Sequence, residues 1–140
     1  MDKERLVALD KLSCFHKVGC VDEHVAAFLL AMCNEAAYEN SNFEWFARRY
    51  PRFMYIDRIV VSAEFRGLRL GSLLYGELFR CARDGGIPLV TCEYNVVPRN
   101  EPSRIFHRKF GFKEQGTQWL ANGTKKVSLQ AAETGQEISC

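Results

Sequence analysis

A chain of 140 residues with a net charge of +2 is one domain by size, and its charge is too small for a nucleic-acid binder. Its 47% apolar and 26% charged residues are enough for one continuous core and argue against a disordered chain. No apolar run approaches the roughly 18 residues of a membrane span, and the opening MDKERLVALDKLSC lacks a signal-peptide apolar core. The expectation is a soluble cytoplasmic protein with no membrane or nucleic-acid partner.

Residues 2–12 read as a short helix, with Leu6, Leu9 and Leu12 at three-residue spacing. Cys14 to Val21 reads as a strand, Asp22 to His24 as a turn, and Val25 to Cys33 as a second strand. That second run is apolar without alternation, which predicts burial on both faces. A helix is its alternative on composition alone. Residues 34–52 are the least regular part. Asn42 to Arg49 suits one or two helical turns, capped by Ser41 or Asn42 and stopped before Pro51. The aromatic residues there (Tyr38, Phe43, Trp45, Phe46, Tyr50) either touch a ligand or pin a long connection to the core.

Phe53 to Val61 is a strand of β-favouring residues. It leads into a loop rich in arginine and glycine and then a helix over Leu70 to Asp84. Leu70, Leu73, Leu74, Leu78 and Cys81 form one apolar stripe on that helix. Gly85 and Gly86 end it. Leu89 to Tyr94 is the next strand, followed by a polar loop with Pro98 and Pro102. A helix over about Glu101 to Lys109 carries Ile105 and Phe106 inward and ends at Gly111. Phe112 to Leu120 and Lys125 to Gln130 form a closing hairpin across Asn122-Gly123. The last ten residues, 131–140, read as a frayed tail. The order predicts one α/β (α+β) domain over 1–140. It has a mixed, mostly antiparallel sheet, a β-α-β-α-β centre and flanking helices.

The six cysteines are widely spaced and read as reduced thiols buried as small hydrophobes. Cys14, His16, Cys20 and His24 are the alternative, a zinc site, but their spacings match no knuckle or finger, so no metal is expected.

Strand, glycine-bearing loop and helix together make a phosphate-binding device. The first helical turn leaves backbone N–H groups without intrahelical partners, the helix dipole adds partial positive charge, and Arg66 and Arg69 add formal charge. The loop lacks both the P-loop pattern and the dinucleotide GxGxxG. What it carries is R-G-L-R-L-G, Arg66 to Gly71. This resembles the acetyl-CoA motif R/Q-x-x-G-x-G/A of the GNAT N-acetyltransferase superfamily. Arg66 and Gly71 match its ends, and Arg69 replaces the middle glycine, which a negative φ there would allow. Downstream, N-x-x-S-x-x-F-H-x-K-F-G-F from Asn100 to Phe112 is similar to the family's second motif, N-x-x-A/S-x-x-F/L-Y-x-K-x-G-F. The segment YPRFMYIDRIVV looks like that of a bacterial-type subgroup of the same family.

The resemblance implies an acyl-CoA N-acyltransferase fold and acetyl-CoA as cosubstrate. Backbone groups of Ile59, Val60 and Val61 would hold the acetyl carbonyl and pantetheine arm. Amides of Gly67, Leu68, Arg69, Leu70, Gly71 and Ser72, beside Arg66, would cradle the pyrophosphate, and Asn100 would bond the pantetheine arm. The reaction would be direct attack on the thioester by a primary amine of a small molecule or, second, of a protein. His107 stands where the family has its acid, a tyrosine, and is either that acid, a cofactor-binding residue, or a surface helix residue. Glu93 is the first candidate base. Asp57 is the second, on a strand where strict alternation gives Tyr55, Asp57, Ile59 and Val61 one face; an ion pair with Arg58 is its alternative role. The family's first strand has no counterpart here, so Cys14 to Val21 would be an exposed edge inviting a homodimer. A non-catalytic acyl-CoA-binding module is the alternative function.

Overall fold

A computed structural model describes residues 3–97 and 100–135. The first two residues of the expected opening helix, the side chain of Leu6, Pro98 of the expected loop and residues 136–140 of the expected tail lie outside the described residues. In chain order the elements are α1 (Lys3–Leu12), β1 (Phe15–Val21), β2 (His24–Cys33), α2 (Ser41–Ala47), β3 (Met54–Val61), α3 (Leu70–Asp84), β4 (Leu89–Val97), α4 (Glu101–Lys109), β5 (Lys113–Leu120) and β6 (Lys125–Glu133). The strands form one sheet in the order β1-β2-β3-β4-β6-β5. Only β3 and β4 run parallel; the other neighbours are antiparallel. The β3-α3-β4 crossover is the reason, since two parallel strands cannot be joined by a tight turn. β6 reaches Glu133, past the expected end at Gln130, because Ala131, Ala132 and Glu133 pair with Thr91, Val90 and Leu89.

The two faces of the sheet carry separate cores. α3 packs on one, where Leu74, Tyr75, Leu78, Phe79 and Ala82 meet Ala27, Leu29, Ala31, Met54, Ile56 and Val90. α1 and α2 pack on the other, where Leu9, Phe43 and Phe46 meet Leu30, Met32, Phe53 and Tyr55. β2 thus feeds both faces, as its unbroken apolar run requires. The aromatic residues of 34–52 serve mainly to pin that connection: Tyr38, Phe43 and Phe46 are buried, and Phe43 and Phe46 each pack a ring on Phe53 and on Tyr55. The cap of α2 is Asn40, not the expected Ser41 or Asn42. Its side chain accepts from the N–H groups of Asn42 and Phe43.

Three expectations need correction. The buried stripe of α3 is turned by about one residue: Leu73 is 63% exposed and Cys81 is exposed, while Tyr75, Phe79 and Ala82 are inside. Both stripes fit a 3.6-residue period. The aromatic wall of Phe106, Phe110 and Phe112 against Tyr75 chose between them. On α4, Ile105 is 49% exposed and His107 takes the inward place beside Phe106. Finally, Cys14 and Cys33 form a disulfide with Cα atoms 5.7 Å apart. The β1–β2 register, with Phe15 opposite Ala31, brings them together. Of the remaining described cysteines only Cys92 is a buried small hydrophobe; Cys20 and Cys81 are exposed. The zinc alternative loses Cys14, whose sulfur is in the disulfide.

Candidate active site, a cleft between two splayed strands

β3 and β4 pair at only two positions, Met54 with Val90 and Tyr55 with Thr91. Beyond them the strands part, and the stretches Ile56–Val61 and Cys92–Val97 bound a wedge. A bulge in β3 follows directly on the last paired position. Leu30 pairs with Arg58 and Ala31 with Ile56, so Asp57 is an extra residue in β3. The bulge also overturns the expected single face. Ile59 and Val61 join the α3 side with Ile56, whereas Tyr55 lies in the opposite core and Asp57 is bonded to Tyr38 of that core. Arg58 stands opposite Leu30 on this second face too, so its Nε reaches Asp57 Oδ2 at 2.6 Å.

The loop after β3 runs through a short 3-10 turn, Ala63–Phe65, to the start of α3. Gly67 has φ +89°, a left-handed conformation that costs glycine nothing. Arg69 has φ +60°, not the expected negative value, and it is the N-cap of α3 without any side-chain capping bond. The first helical bond is from Leu73 N to the Arg69 carbonyl. The N–H groups of Leu70, Gly71 and Ser72 therefore sit at the positive end of a 15-residue helix with no partner from the cap. Arg66, Gly67, Leu68, Arg69 and Ser72 are exposed around them. Gly71 faces the wedge: a Cβ there would lie 3.5 Å from Phe106 and 3.8 Å from Ile59. This set of open amides and arginines fits a diphosphate.

α4 closes the α3 side. Asn100 caps it through Oδ1, which accepts from Ser103 N at 3.2 Å. His107 is 7% exposed, so it is not a surface helix residue. Its Nδ1 lies 2.7 Å from the Ser103 carbonyl, which can only accept, so Nδ1 carries the proton. Nε2 then accepts from the Tyr75 hydroxyl at 2.7 Å. Burial lowers the imidazole pKa, partly offset by the Ser103 carbonyl. His107 is thus a neutral, fully bonded link between α3 and α4.

The other two candidates meet on the opposite face. Glu93 pairs across with Leu129 and accepts from the Tyr55 hydroxyl. Asp57, its side chain 3% exposed, accepts from the Tyr38 hydroxyl and from Arg58. Burial raises the Glu93 carboxyl from its ordinary 4.5 to about 7, and the Asp57 charge adds to the rise. The Tyr55 hydroxyl, which donates to it, opposes the rise first, and the Asn42 side chain opposes it as well. The Tyr55 hydroxyl is held well above its usual pKa by burial first and Glu93 second, so it stays a donor. Asp57 and Glu93 come together here, and His107 lies across the sheet from them. Tyr38, Tyr55, Asn42 and Gln118 lie around the pair. Sequence reading singled out Tyr38 in the aromatic stretch and placed Tyr55 two residues from Asp57 on a β-strand, but gave Asn42 and Gln118 no role at the site.

A model of the acetyltransferase (GNAT) family matches residues 4–112. No curated protein matches the chain by sequence. Among solved structures, the ribosomal-protein-S18-alanine N-acetyltransferase of Escherichia coli superposes with a TM-score of 0.73 at 12% identity, covering 99% of this chain and 81% of that one. A GNAT family acetyltransferase of Streptococcus pneumoniae gives 0.70 at 18% identity over 96% and 78%. A GNAT family acetyltransferase of Elizabethkingia anophelis with acetyl-CoA bound gives 0.68 at 11% identity over 94% and 83%. At these identities the likeness is one of fold, and it confirms the expected mixed α/β architecture.

Proposed function

The chain belongs to the acetyltransferase (GNAT) family, and on that premise we propose that it moves the acetyl group of acetyl-CoA to a primary amine by direct attack on the thioester. The observation that carries this reading is the wedge itself. Unpartnered amides stand at its mouth on α3, and a carboxyl titrating near neutral pH stands on its far face. The Elizabethkingia relative, described with acetyl-CoA bound, supports the choice of cosubstrate.

Acetyl-CoA supplies an activated acyl thioester. The amides of Leu70, Gly71 and Ser72, with Arg66, Gly67, Leu68 and Arg69, hold its pyrophosphate. Arg69 keeps a left-handed backbone at a cost of about 1 kcal/mol, and the gain is a cation beside the phosphates. The open edge of β3 at Ile59, Val60 and Val61 takes the extended pantetheine as an added strand. Asn100 Oδ1 caps α4, and its side-chain amide N–H groups would bond the same arm.

Glu93 takes a proton from the incoming ammonium, because a base with a pKa near neutral is half available at the working pH. Asp57 is held by Arg58 and Tyr38, the ion-pair role expected as its alternative, and lies beside Glu93 without acting as the base. The nitrogen then forms its bond to the carbonyl carbon, the C–S bond breaks, and the proton the nitrogen still has to shed passes through water to the departing thiolate. A thiol pKa of about 8.5 makes that departure feasible without a side-chain acid, so His107 is not required to donate. The acceptor is a small-molecule amine first and a protein amine second.

Saturating acetyl-CoA should raise the melting temperature, and an amine panel should release thiol. No thermal shift would end the cofactor reading. A shift with every amine silent would favour the second reading, a non-catalytic acyl-CoA-binding module, to which the burial of His107 at the family's acid position lends support. The largely exposed edge strand β1 offers backbone pairing to a second copy, and sedimentation equilibrium tests that dimer.

A further inference from the structure

We infer that the Tyr55 hydroxyl holds Oε1 of Glu93 so that Oε2 is the atom that meets the acceptor, an inference that rests on Glu93 being the base and makes Tyr55 a positioning residue of the transfer.

The two carboxyls of this face are bonded in different ways. Asp57 is filled. Its Oδ1 accepts from the Tyr38 hydroxyl and its Oδ2 from Arg58 Nε at 2.6 Å, and its side chain is 3% exposed. Glu93 is half-filled. Among the described residues its side chain takes one hydrogen bond, from the Tyr55 hydroxyl to Oε1. No buried side-chain oxygen or nitrogen of the described residues lacks a partner. Oε2 has none, so it is open to solvent. A base needs a free lone pair for the proton it takes. Of the two carboxyls, Glu93 alone keeps an oxygen for that purpose.

The fold aims the phenol at this carboxyl. Tyr55 stands opposite Thr91 at the last position where β3 and β4 pair. Glu93 is two residues further along β4, on the same face as Thr91, where the strands have already parted. The Tyr55 hydroxyl therefore bridges a gap that no β3–β4 ladder bond spans. Thr91 Oγ1 donates to the Met54 carbonyl at 3.3 Å and ties the strands just behind it. The ring is held on its own side. It is 1% exposed, and the rings of Phe43, Phe46 and Tyr38 stand 5.6, 6.0 and 6.4 Å from it. α2 and the connection before it clamp the phenol, and the phenol clamps the carboxyl.

The titratable and charged groups around Glu93 are Tyr55 and Asp57 on β3, Arg58 paired with Asp57, and Tyr38 on the β2–α2 connection. From α3 and the reverse face of β4 come Tyr75 and Cys92, both kept neutral by burial. Asn42 of α2 carries no charge, and β6 sets Leu129 opposite Glu93. Burial first and Glu93 second keep the Tyr55 hydroxyl protonated, so it stays a donor while Glu93 titrates. A donor favours the ionised carboxylate, so its loss moves the Glu93 titration upward.

Tyr55→Phe removes the hydroxyl and keeps the ring. NMR of the Glu93 carboxyl carbon across pH, with the pH profile of kcat/KM for the best amine, reads the result. The Glu93 midpoint and the acid limb should both rise by about one pH unit, with the acetyl-CoA thermal shift unchanged. Activity near about pH 6 should then fall about tenfold, and the two proteins should converge above about pH 9. Tyr38→Phe takes the Asp57 donor from the same aromatic cluster and should move the Glu93 midpoint clearly less. An unmoved midpoint in folded Tyr55→Phe, or an equal shift in both variants, overturns the role of Tyr55 and leaves Glu93 as the base. Full activity in Glu93→Gln overturns the base reading and the role of Tyr55 with it. Where Tyr55→Phe fails to fold, the unsubstituted protein decides. The Tyr55 Cζ resonance should titrate with the Glu93 midpoint, and a resonance flat through that range overturns the bond.

Discussion

Glu93→Gln should make the protein more stable at alkaline pH. In the folded chain the carboxyl titrates at about 7, against an ordinary value of 4.5, because it is buried beside Asp57. Between those values the folded chain keeps a proton that the unfolded chain releases. Stability therefore falls as pH rises through the window, and the loss is complete above about pH 7. A displacement of that size corresponds to roughly 3 kcal/mol. Glutamine carries no charge, so it escapes this cost. Its NH2 group cannot accept a hydrogen bond as the carboxylate oxygen it replaces can, which forfeits about 1 kcal/mol of hydrogen bonding. The net expectation at pH 8.5 is a gain of roughly 2 kcal/mol, or a Tm rise of about 6 °C for a chain of this length. At pH 5 the sign reverses, because both proteins are neutral there and the lost hydrogen bond is all that remains. Urea unfolding at the two pH values, at constant ionic strength, measures the difference. An offset between variant and wild type that is the same at pH 5 and 8.5 would refute the picture of a buried, proton-holding carboxyl. Turnover should fall in the same variant, since the cost of burying the carboxylate is what gives the base its near-neutral pKa.

Gly71→Glu should cut acetyl-CoA affinity at least about 30-fold, since a carboxylate near a diphosphate costs roughly 2–4 kcal/mol. Gly71→Ala should keep binding, because its methyl meets only Phe106 and Ile59 at ordinary contact distance; calorimetry compares the two, and equal affinity in both variants moves the phosphate site elsewhere. His107→Phe should cost about 1–3 kcal/mol of stability by orphaning the buried Tyr75 hydroxyl, and adding Tyr75→Phe should recover part of it. Its turnover per folded molecule should hold; a loss of about 100-fold at unchanged stability would instead make His107 the acid. Replacing both Cys14 and Cys33 by serine should cost roughly 3 kcal/mol on the loop-closure model, given their separation of 19 residues. A non-reduced digest should yield the linked peptides, and full alkylation of both thiols before reduction would contradict the crosslink.

The sequence by itself determined the local devices. The β-favouring run of β3, the glycines of the loop and the periodicity of α3 are short-range signals, and the structure has the helix at Leu70–Asp84 as the pattern predicts. The pairing of that loop with the Asn100 to Phe112 motif was enough to carry the family. Tertiary structure decided which way side chains face and which distant residues meet. One extra residue at Asp57 parted Tyr55 and Asp57 from Ile59 and Val61, and no alternation rule contains a bulge. His107 and Ile105 exchanged places because the aromatic wall on α3 and α4 filled from the inside. Cys14 met Cys33 only through the β1–β2 register. The acceptor face is the furthest case: Tyr55 reaches Glu93 across 38 residues, and Gln118 reaches Asn42 across 76. The residue preferences that write helices and strands act over a few positions. The bonds that set the charge of Glu93 exist only once the sheet has closed around it.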